Sequence, residues 1–380
     1  MAWTKYQILL ATTLVITGSI NTLSTKWADN LHSNGSDGVS REFDHPFVQA
    51  CAMFLGEMLC LFVFKIIYYI LDRRQDGSVD TNEFVKGNRN FSPLILFIPA
   101  MCDMIATSTM YVGLNLTYAS SFQMFRGSVI IFVSILSVAF LNRVLKIREW
   151  IGIWLVIMGL TVVGATDFFF TNTSTYSKNA VLTGDLLIIT AQIITAIQMV
   201  YEEKFVKDLD IPALQAVGWE GFFGFMVLVL LQIPFYFIKV GSPFNNNAHG
   251  TLEDLPDAFV QIANNYQLLI AVLGIHKFSI AFFNFAGISV TKELSATTRM
   301  VLDSVRTVVI WVVALAVKWQ LFYWPQIIGF SCLIFGMCLY NNIFILQSYY
   351  YIRDVCRNSR YGKLQSQDVT NVAADNPDVA

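Results

Sequence analysis

Three charged residues share one face of an otherwise apolar stretch: Arg299, Asp303 and Arg306, at the i, i+4, i+7 spacing a helix aligns. Other apolar runs are interrupted by Glu57, Lys65, Asp103, Arg126, Asp185 and Glu220. A charge at the centre of a membrane helix costs roughly 2.5–3.5 kcal/mol on insertion scales. A scaffold has little reason to bear that cost, whereas a water-filled cavity receiving a polar solute does. Asp303 can pair with either arginine. With Arg126 and Arg306 around it, Asp303 leaves a net positive site, suited to an anion or the anionic end of a zwitterion. Lys65, Asp185 and Arg299 lie near run ends, where a charge reaches the interface. Glu57 and Glu220 lie deeper and suit helix–helix bonding or cavity lining equally. Arg126, Asp303 and Arg306 are therefore the leading solute-binding residues.

Phe282-Phe283-Asn284-Phe285 offers aromatic faces and one amide, which can stack on and orient a flat solute. Lipid-facing phenylalanine is the plainer reading. Catalytic motifs are absent: the sequence has no glycine-rich dinucleotide or phosphate loop, no HExxH and no GxSxG. The six cysteines form no CxxC pair, and the four histidines are scattered. No enzyme activity, metal or cofactor is expected.

These residues must be held by membrane helices. Of 380 residues, 55% are apolar and 14% charged, against about 25% charged in a soluble domain. This excludes a soluble enzyme, a disordered chain and, at net charge −2, a basic nucleic-acid binder. Ten apolar runs are long enough to span: 6–25, 46–71, 93–112, 119–142, 149–166, 182–201, 213–238, 266–287, 295–317 and 325–346. The expected fold is all-α, a polytopic membrane protein of ten helices. The first run lacks a basic flank of its own and a small-residue cleavage site, so it reads as a retained helix. Lys and Arg favour one side by roughly three to one, which places both termini in the cytosol.

The sequons Asn34-Gly-Ser and Asn172-Thr-Ser then fall in lumenal loops and are expected to carry glycans. Asn90-Phe-Ser falls on the cytosolic side, and Asn115-Leu-Thr lies too close to the bilayer. In the long lumenal loop 239–265, Thr251 reads as the N-cap of a short interfacial helix. The last 30 or so residues are polar and read as a disordered cytosolic tail, 347–380. It contains Tyr361-Gly-Lys-Leu364, a pattern of the kind clathrin adaptors read.

The second half repeats the first at an offset of 177. Ala119-Ser120-Ser121 matches Ala296-Thr297-Thr298, and Gly152 and Gly159 match Gly329 and Gly336. The offset brackets five helices, an odd number, so the copies 1–170 and 171–346 have opposite orientations in the membrane. That is a five-plus-five inverted repeat, whose interface usually holds a transport site. Asp303 is the counterpart of Arg126, so an acid and a base sit at equivalent depths on the fourth and ninth spans and can pair across the cavity.

Several segments resemble solute carrier family 35, the nucleotide-sugar transporters of the drug/metabolite transporter superfamily. They are Leu141-Asn142-Arg143-x-Leu145-x-x-x-x-Trp150 and Val200-Tyr201-x-Glu203-Lys204. To these are added Ser19 to Ser24, Ser120 to Met124 with Arg126-Gly127, and Asn284 to Arg299. The resemblance implies alternating-access transport of a polar solute in the endomembrane system. It matches Phe122 and Gln123 to an aromatic–Gln pair lining the nucleotide-sugar site, and Arg306 to a lysine that contacts substrate phosphate. Where carriers of the sialic-acid type have a second phosphate-binding lysine, this chain has Val129. Arg126, one turn earlier, is placed to substitute for it.

The sequence thus predicts a secondary transporter of an anionic or zwitterionic organic solute, with Phe122, Gln123, Arg126, Asn284, Asp303 and Arg306 in the site. The alternative is an organellar interaction protein that keeps the fold without flux. Expected partners are a small polar solute, the bilayer, a clathrin adaptor at Tyr361 and Leu364, and a second copy in a homodimer. The expected location is the lysosomal or late endosomal membrane, with the Golgi as alternative.

Overall fold

The computed structural model describes residues 4–74, 82, 84–117, 119–141, 144–170, 178–241, 247–294, 296–317 and 324–341. Asn172, Tyr361 and Leu364 lie outside the described residues. The described residues are mostly helical, as a lipid environment requires of backbone that cannot hydrogen-bond to solvent. In order come α1 (Lys5–Asp29), α2 (Pro46–Asp72), α3 (Phe97–Leu116), α4 (Ala119–Arg126), α5 (Val129–Leu141), α6 (Ile147–Phe170), α7 (Lys178–Asp208) and α8 (Ala213–Phe237). They are followed by α9 (Leu255–Asn264), α10 (Lys277–Glu293), α11 (Ala296–Ala316) and α12 (Trp324–Asn341). A π-helical stretch, Leu269–His276, leads into α10. A hairpin of β1 (His32–Asn34) and β2 (Ser40–Glu42) joins α1 to α2. Among the described residues, seven helical segments are both long and apolar enough to cross a membrane, and Ile327–Tyr340 is a shorter apolar stretch.

Three expectations are corrected. The fourth span is not one helix: it breaks after Arg126, where Gly127 and Ser128 make tight backbone bonds to Met124 and Phe125 at 2.9 and 3.0 Å. The sixth span runs on to Asp208, which draws Glu202 into the bundle. The short helix expected in the 239–265 loop starts at Leu255, capped by Asp254 accepting from the Asp257 N–H, not by Thr251.

Close backbone approaches organise the bundle. α6 packs on α12 through glycines: a methyl on Gly152 would lie 2.7 Å from the Gly336 carbonyl, and one on Gly159 2.6 Å from that of Gly329. α3 meets α7 where a methyl on Gly184 would lie 2.9 Å from the Gly113 carbonyl oxygen. α8 lays Gly218, Gly221 and Gly224 on α2, against Leu61, Met58 and Phe54. α1 packs on α10, with Leu10 and Leu14 in one core with Ile280 and Phe283.

The connecting segments gather at opposite ends. At one end the β1–β2 hairpin docks on α9, with Ser33 Oγ donating to the Gln261 carbonyl at 2.7 Å. At the other end the Asn88 N–H donates to the Asp210 carbonyl, and Lys292 pairs with Asp210 at 2.7 Å. Asn34 is exposed at the hairpin end and Asn90 at the Asp210 end. Lys26, expected in a loop, lies buried in the last turn of α1.

Candidate functional site

A cavity lies inside the bundle, lined from α1, α2, α3, α4, α7, α10 and α11. Its lining includes Phe122, Arg126, Asn284, Asp303 and Arg306, five of the six expected binding residues. The side chain of the sixth, Gln123, lies outside the described residues, although its backbone belongs to α4. A smaller adjoining cavity brings Arg126, Val129, Asp303 and Arg306 together.

Arg126 closes α4 at the break, with its Cζ 5.7 Å from the ring centre of Phe122, one turn back. Arg306 is 2% exposed and stands on the Phe283 ring, Cζ to centroid 4.6 Å. A glycine makes its room: a methyl on Gly18 would lie 2.6 Å from Arg306 Nη1. Asp303 pairs with Arg306 on its own helix, Oδ1 to Nη2 3.6 Å. Arg299 turns to α7 instead and binds Glu202, Nη1 to Oε2 2.9 Å. Gly287 gives it space, because a methyl there would lie 2.8 Å from Arg299 Nε. Arg299, expected near the interface, is thus buried.

Phe282 faces outward and Phe283 inward, so the aromatic run serves lipid and cavity at once. Asn284 donates its amide to Glu57 Oε1. Asp103 lines the cavity and accepts from Thr107 Oγ1 at 3.0 Å. Asp185 accepts from Thr117 at 2.8 Å, away from the cavity, and Lys65 is exposed. Sequence reasoning missed Glu202. It is the unassigned position in the Val200-Tyr201-x-Glu203-Lys204 segment, and ending the span at 201 left it outside.

A second polar network was also missed. At the hairpin end, His45 Nδ1 bonds Glu253 Oε1 at 2.6 Å, while Glu253 Oε2 accepts from the Phe47 and Val48 N–H groups that start α2. His45 Nε2 stands 3.7 Å from Asp257 Oδ2, and both side chains are buried. Burial disfavours the charged imidazole, but Glu253 and Asp257 outweigh it and push the His45 pKa up to about 9. Burial pushes the neighbouring Asp44 up to about 6, against the pull of His45. Burial also opposes ionisation of Asp257, yet His45 and Ser36 outweigh it and hold that carboxyl well below the usual range.

Among the described residues no cluster of His, Cys, Asp and Glu could hold a metal ion. Aromatic faces, two arginines and a broken helix can bind an anionic group without one.

Comparison with known proteins places this geometry in context. The family model described as "Nucleotide-sugar transporter" matches residues 5–230. "Solute carrier family 35 member F6" of Homo sapiens is 55% identical over 344 residues, 90% of this chain and 91% of that one. The protein of the same name from Mus musculus is 54% identical over 90% of each chain. An uncharacterized protein of Schizosaccharomyces pombe is 31% identical over 88% of this chain and 98% of its own. A solved structure titled "Crystal structure of protein" has the same fold, with TM-score 0.52 and 14% identity over 88% of this chain and 95% of that chain.

Proposed function

The chain belongs to solute carrier family 35, and on that premise we propose that it carries a polar organic solute with an anionic end across an endomembrane by alternating access. The observation that carries this reading is the central cavity, where Arg126 and Arg306 converge from α4 and α11 beside the rings of Phe122 and Phe283. The arginines hold the anionic group, and the rings hold a flat portion of the solute. The N-terminal end of α5 at Val129, opened by the break, adds its positive dipole end beside Arg126. Val129 itself offers no charge, so Arg126 and Arg306 together replace a lysine pair.

Ten spans in a five-plus-five inverted repeat, 1–170 and 171–346, are part of this reading. Its support is the crossed glycine contact: Gly152 meets Gly336 and Gly159 meets Gly329, although the 177 offset equates Gly152 with Gly329. A twofold-related interface produces that exchange. The helix pairs α1–α10 and α3–α7 are likewise exchanged by the repeat. Rocking of one repeat against the other then exposes the cavity to each side in turn. Both termini are cytosolic in this reading, the hairpin end is lumenal, and the residence is the lysosomal or late endosomal membrane, reached through Tyr361 and Leu364. Unchanged lysosomal residence of a Tyr361→Ala protein would remove that sorting role.

The test is a thermal-shift screen of purified protein against anionic metabolites, followed by counterflow in proteoliposomes. A hit is expected to lose counterflow in Arg306→Gln while the size-exclusion profile is kept. Undiminished counterflow in Arg306→Gln refutes the assigned site.

A further inference from the structure

Next to the solute cavity, four carboxyl side chains lie inside the helix bundle with one arginine, which bonds a single one of them. Glu57 on α2, Asp103 on α3, Glu202 on α7 and Glu220 on α8 interact with one another and with Arg299 on α11. Glu57 and Glu220 are at one level, because a methyl on Gly221 would lie 2.5 Å from Glu57 Cβ. They are 1% and 4% exposed. Arg299 is bonded to Glu202, whose Oε1 also accepts from Gln198 at 2.7 Å. Glu57 receives the Asn284 amide. Glu220 Oε1 is buried with no hydrogen-bond partner. Other groups that face the cluster include Cys60 on α2, Cys102 and Tyr111 on α3, Arg126 on α4 and Asp303 on α11.

Arg299 bonds Glu202, and among the described residues no salt bridge reaches Glu57, Asp103 or Glu220. A buried carboxylate with no cation or donor in contact is costly, and a proton removes that cost. An unpartnered, buried carboxyl oxygen is where an added proton would cost least. The cluster is also in contact with the solute cavity, since Asp103, Asn284 and Arg299 line both. Its protonation therefore sets the charge seen by an anion at Arg126 and Arg306. With every carboxyl ionised, the cavity is negative and repels an anion. Each proton taken up makes it more positive, and by linkage a bound anion tightens the proton in equal measure.

We propose that Glu57 and Glu220, with Asp103 and Glu202 beside them, form the proton-binding site that couples this carrier to proton movement, proton and anionic solute travelling in the same direction. The proposal rests on the transport reading for its second half only. The proton enters as a hydronium proton from the water of the open side. It rests as a neutral carboxyl O–H and leaves to the opposite side with the solute, so charge and protons balance.

The experiment is infrared difference spectroscopy of the full chain reconstituted in phosphatidylcholine–phosphatidylglycerol vesicles. The protonated-carboxyl C=O stretch is followed between about pH 5 and pH 9, a window in which exposed carboxylates stay ionised over most of the range. Wild type is expected to show a buried carboxyl band that loses intensity as pH rises. Glu57→Gln and Glu220→Gln should each diminish it, and the double variant should diminish it further, leaving the part that Asp44 contributes. Glutamine keeps the shape and the hydrogen-bonding capacity. If either glutamine variant fails size-exclusion, Glu220→Asp should move the band's frequency. No titrating band, or an undiminished band in the folded double variant, overturns the proton site. Counterflow of a screened solute without a titrating band leaves transport standing and removes the coupling. A titrating band in a protein that moves none of the screened anions leaves the proton site and removes the transport reading.

Discussion

Glu253 and Glu220 are both buried glutamates, yet their surroundings treat them differently. Glu253, in the cap over the hairpin end, gives one oxygen to His45 and the other to two helix N-terminal amides. Glu220, in the core, leaves Oε1 without a hydrogen bond and faces other carboxyls. The cap surrounds a negative charge with a cation and donors, which fixes the charge and the geometry together. The core offers four acids one arginine, which leaves the charge free to change. A closed network serves structure, and an open one serves exchange with a ligand.

The largest expected effect comes from the cap. Glu253→Ala strands the charged His45 ring and two amides, a broken buried pair that typically costs about 3–5 kcal/mol. Most folded yield should disappear, read as monodisperse protein on fluorescence-detected size exclusion. Glu220→Gln should keep or raise the melting temperature, because it removes a charge that the core does not pair. The reverse ranking of these two variants would break the comparison.

The cap should also be steadier in acid. His45 is raised from 6.5 to about 9, so its stabilisation is complete below about 6.5 and fades as pH climbs through 9. The full swing is roughly 3 kcal/mol. Asp44 is raised from 3.8 to about 6, so the folded state holds its proton longer, and stability declines as pH rises between those values. Melting temperatures of wild type should fall from about pH 6.5 to 9.5, and a His45→Gln protein should lose that slope. An equal slope in both would move the titrating group elsewhere.

Within the core, pairs differ in tightness. Glu202 and Arg299 touch at 2.9 Å, whereas Asp303 and Arg306 are 3.6 Å apart. The double-mutant cycle Glu202→Gln with Arg299→Gln should show a coupling of about 1–3 kcal/mol in melting measurements. Asp303→Asn should couple to Arg306→Gln more strongly than to Arg126→Gln. Stronger coupling to Arg126 would restore the pairing across α4 and α11 that the repeat alone suggests.

How much of this was legible in the sequence depends on the range of the pattern. The seven long apolar helices among the described residues were visible because each contains a run of about 20 apolar residues, a local property. The buried charges were visible for the same reason, as exceptions within those runs. The break after Arg126 was not, since Gly127 and Ser128 are tolerated inside membrane helices. Glu202 was missed because α7 continues past its apolar run to Asp208. The cap left no signal, because His45 and Glu253 are joined only by the folded chain and no local periodicity links them. Arg299 was read as interfacial from its position, and Glu202 is what makes its burial workable.

The smallest effect concerns two asparagines near the cap. Asn34 is exposed on the β1–β2 hairpin, where a glycan would project without displacing anything. Asn115 is held differently: its amide donates to Asp44, and Thr117 of the same sequon is fully buried and donates to Asp185. An oligosaccharide cannot be attached there without pulling apart that end of α3. Asn34→Gln should therefore raise the gel mobility of protein from cells by one glycan and change stability by no more than about 0.5 kcal/mol. Asn115→Gln should leave mobility unchanged and cost more, about 1 kcal/mol, by weakening the bond to Asp44. Asn90, exposed at the opposite end, should carry nothing. A glycan on Asn90 with none on Asn34 would invert the protein in the membrane. The cap would then face the cytosol, near neutral pH, where His45 keeps its proton and the gain from protonating Asp44 is lost.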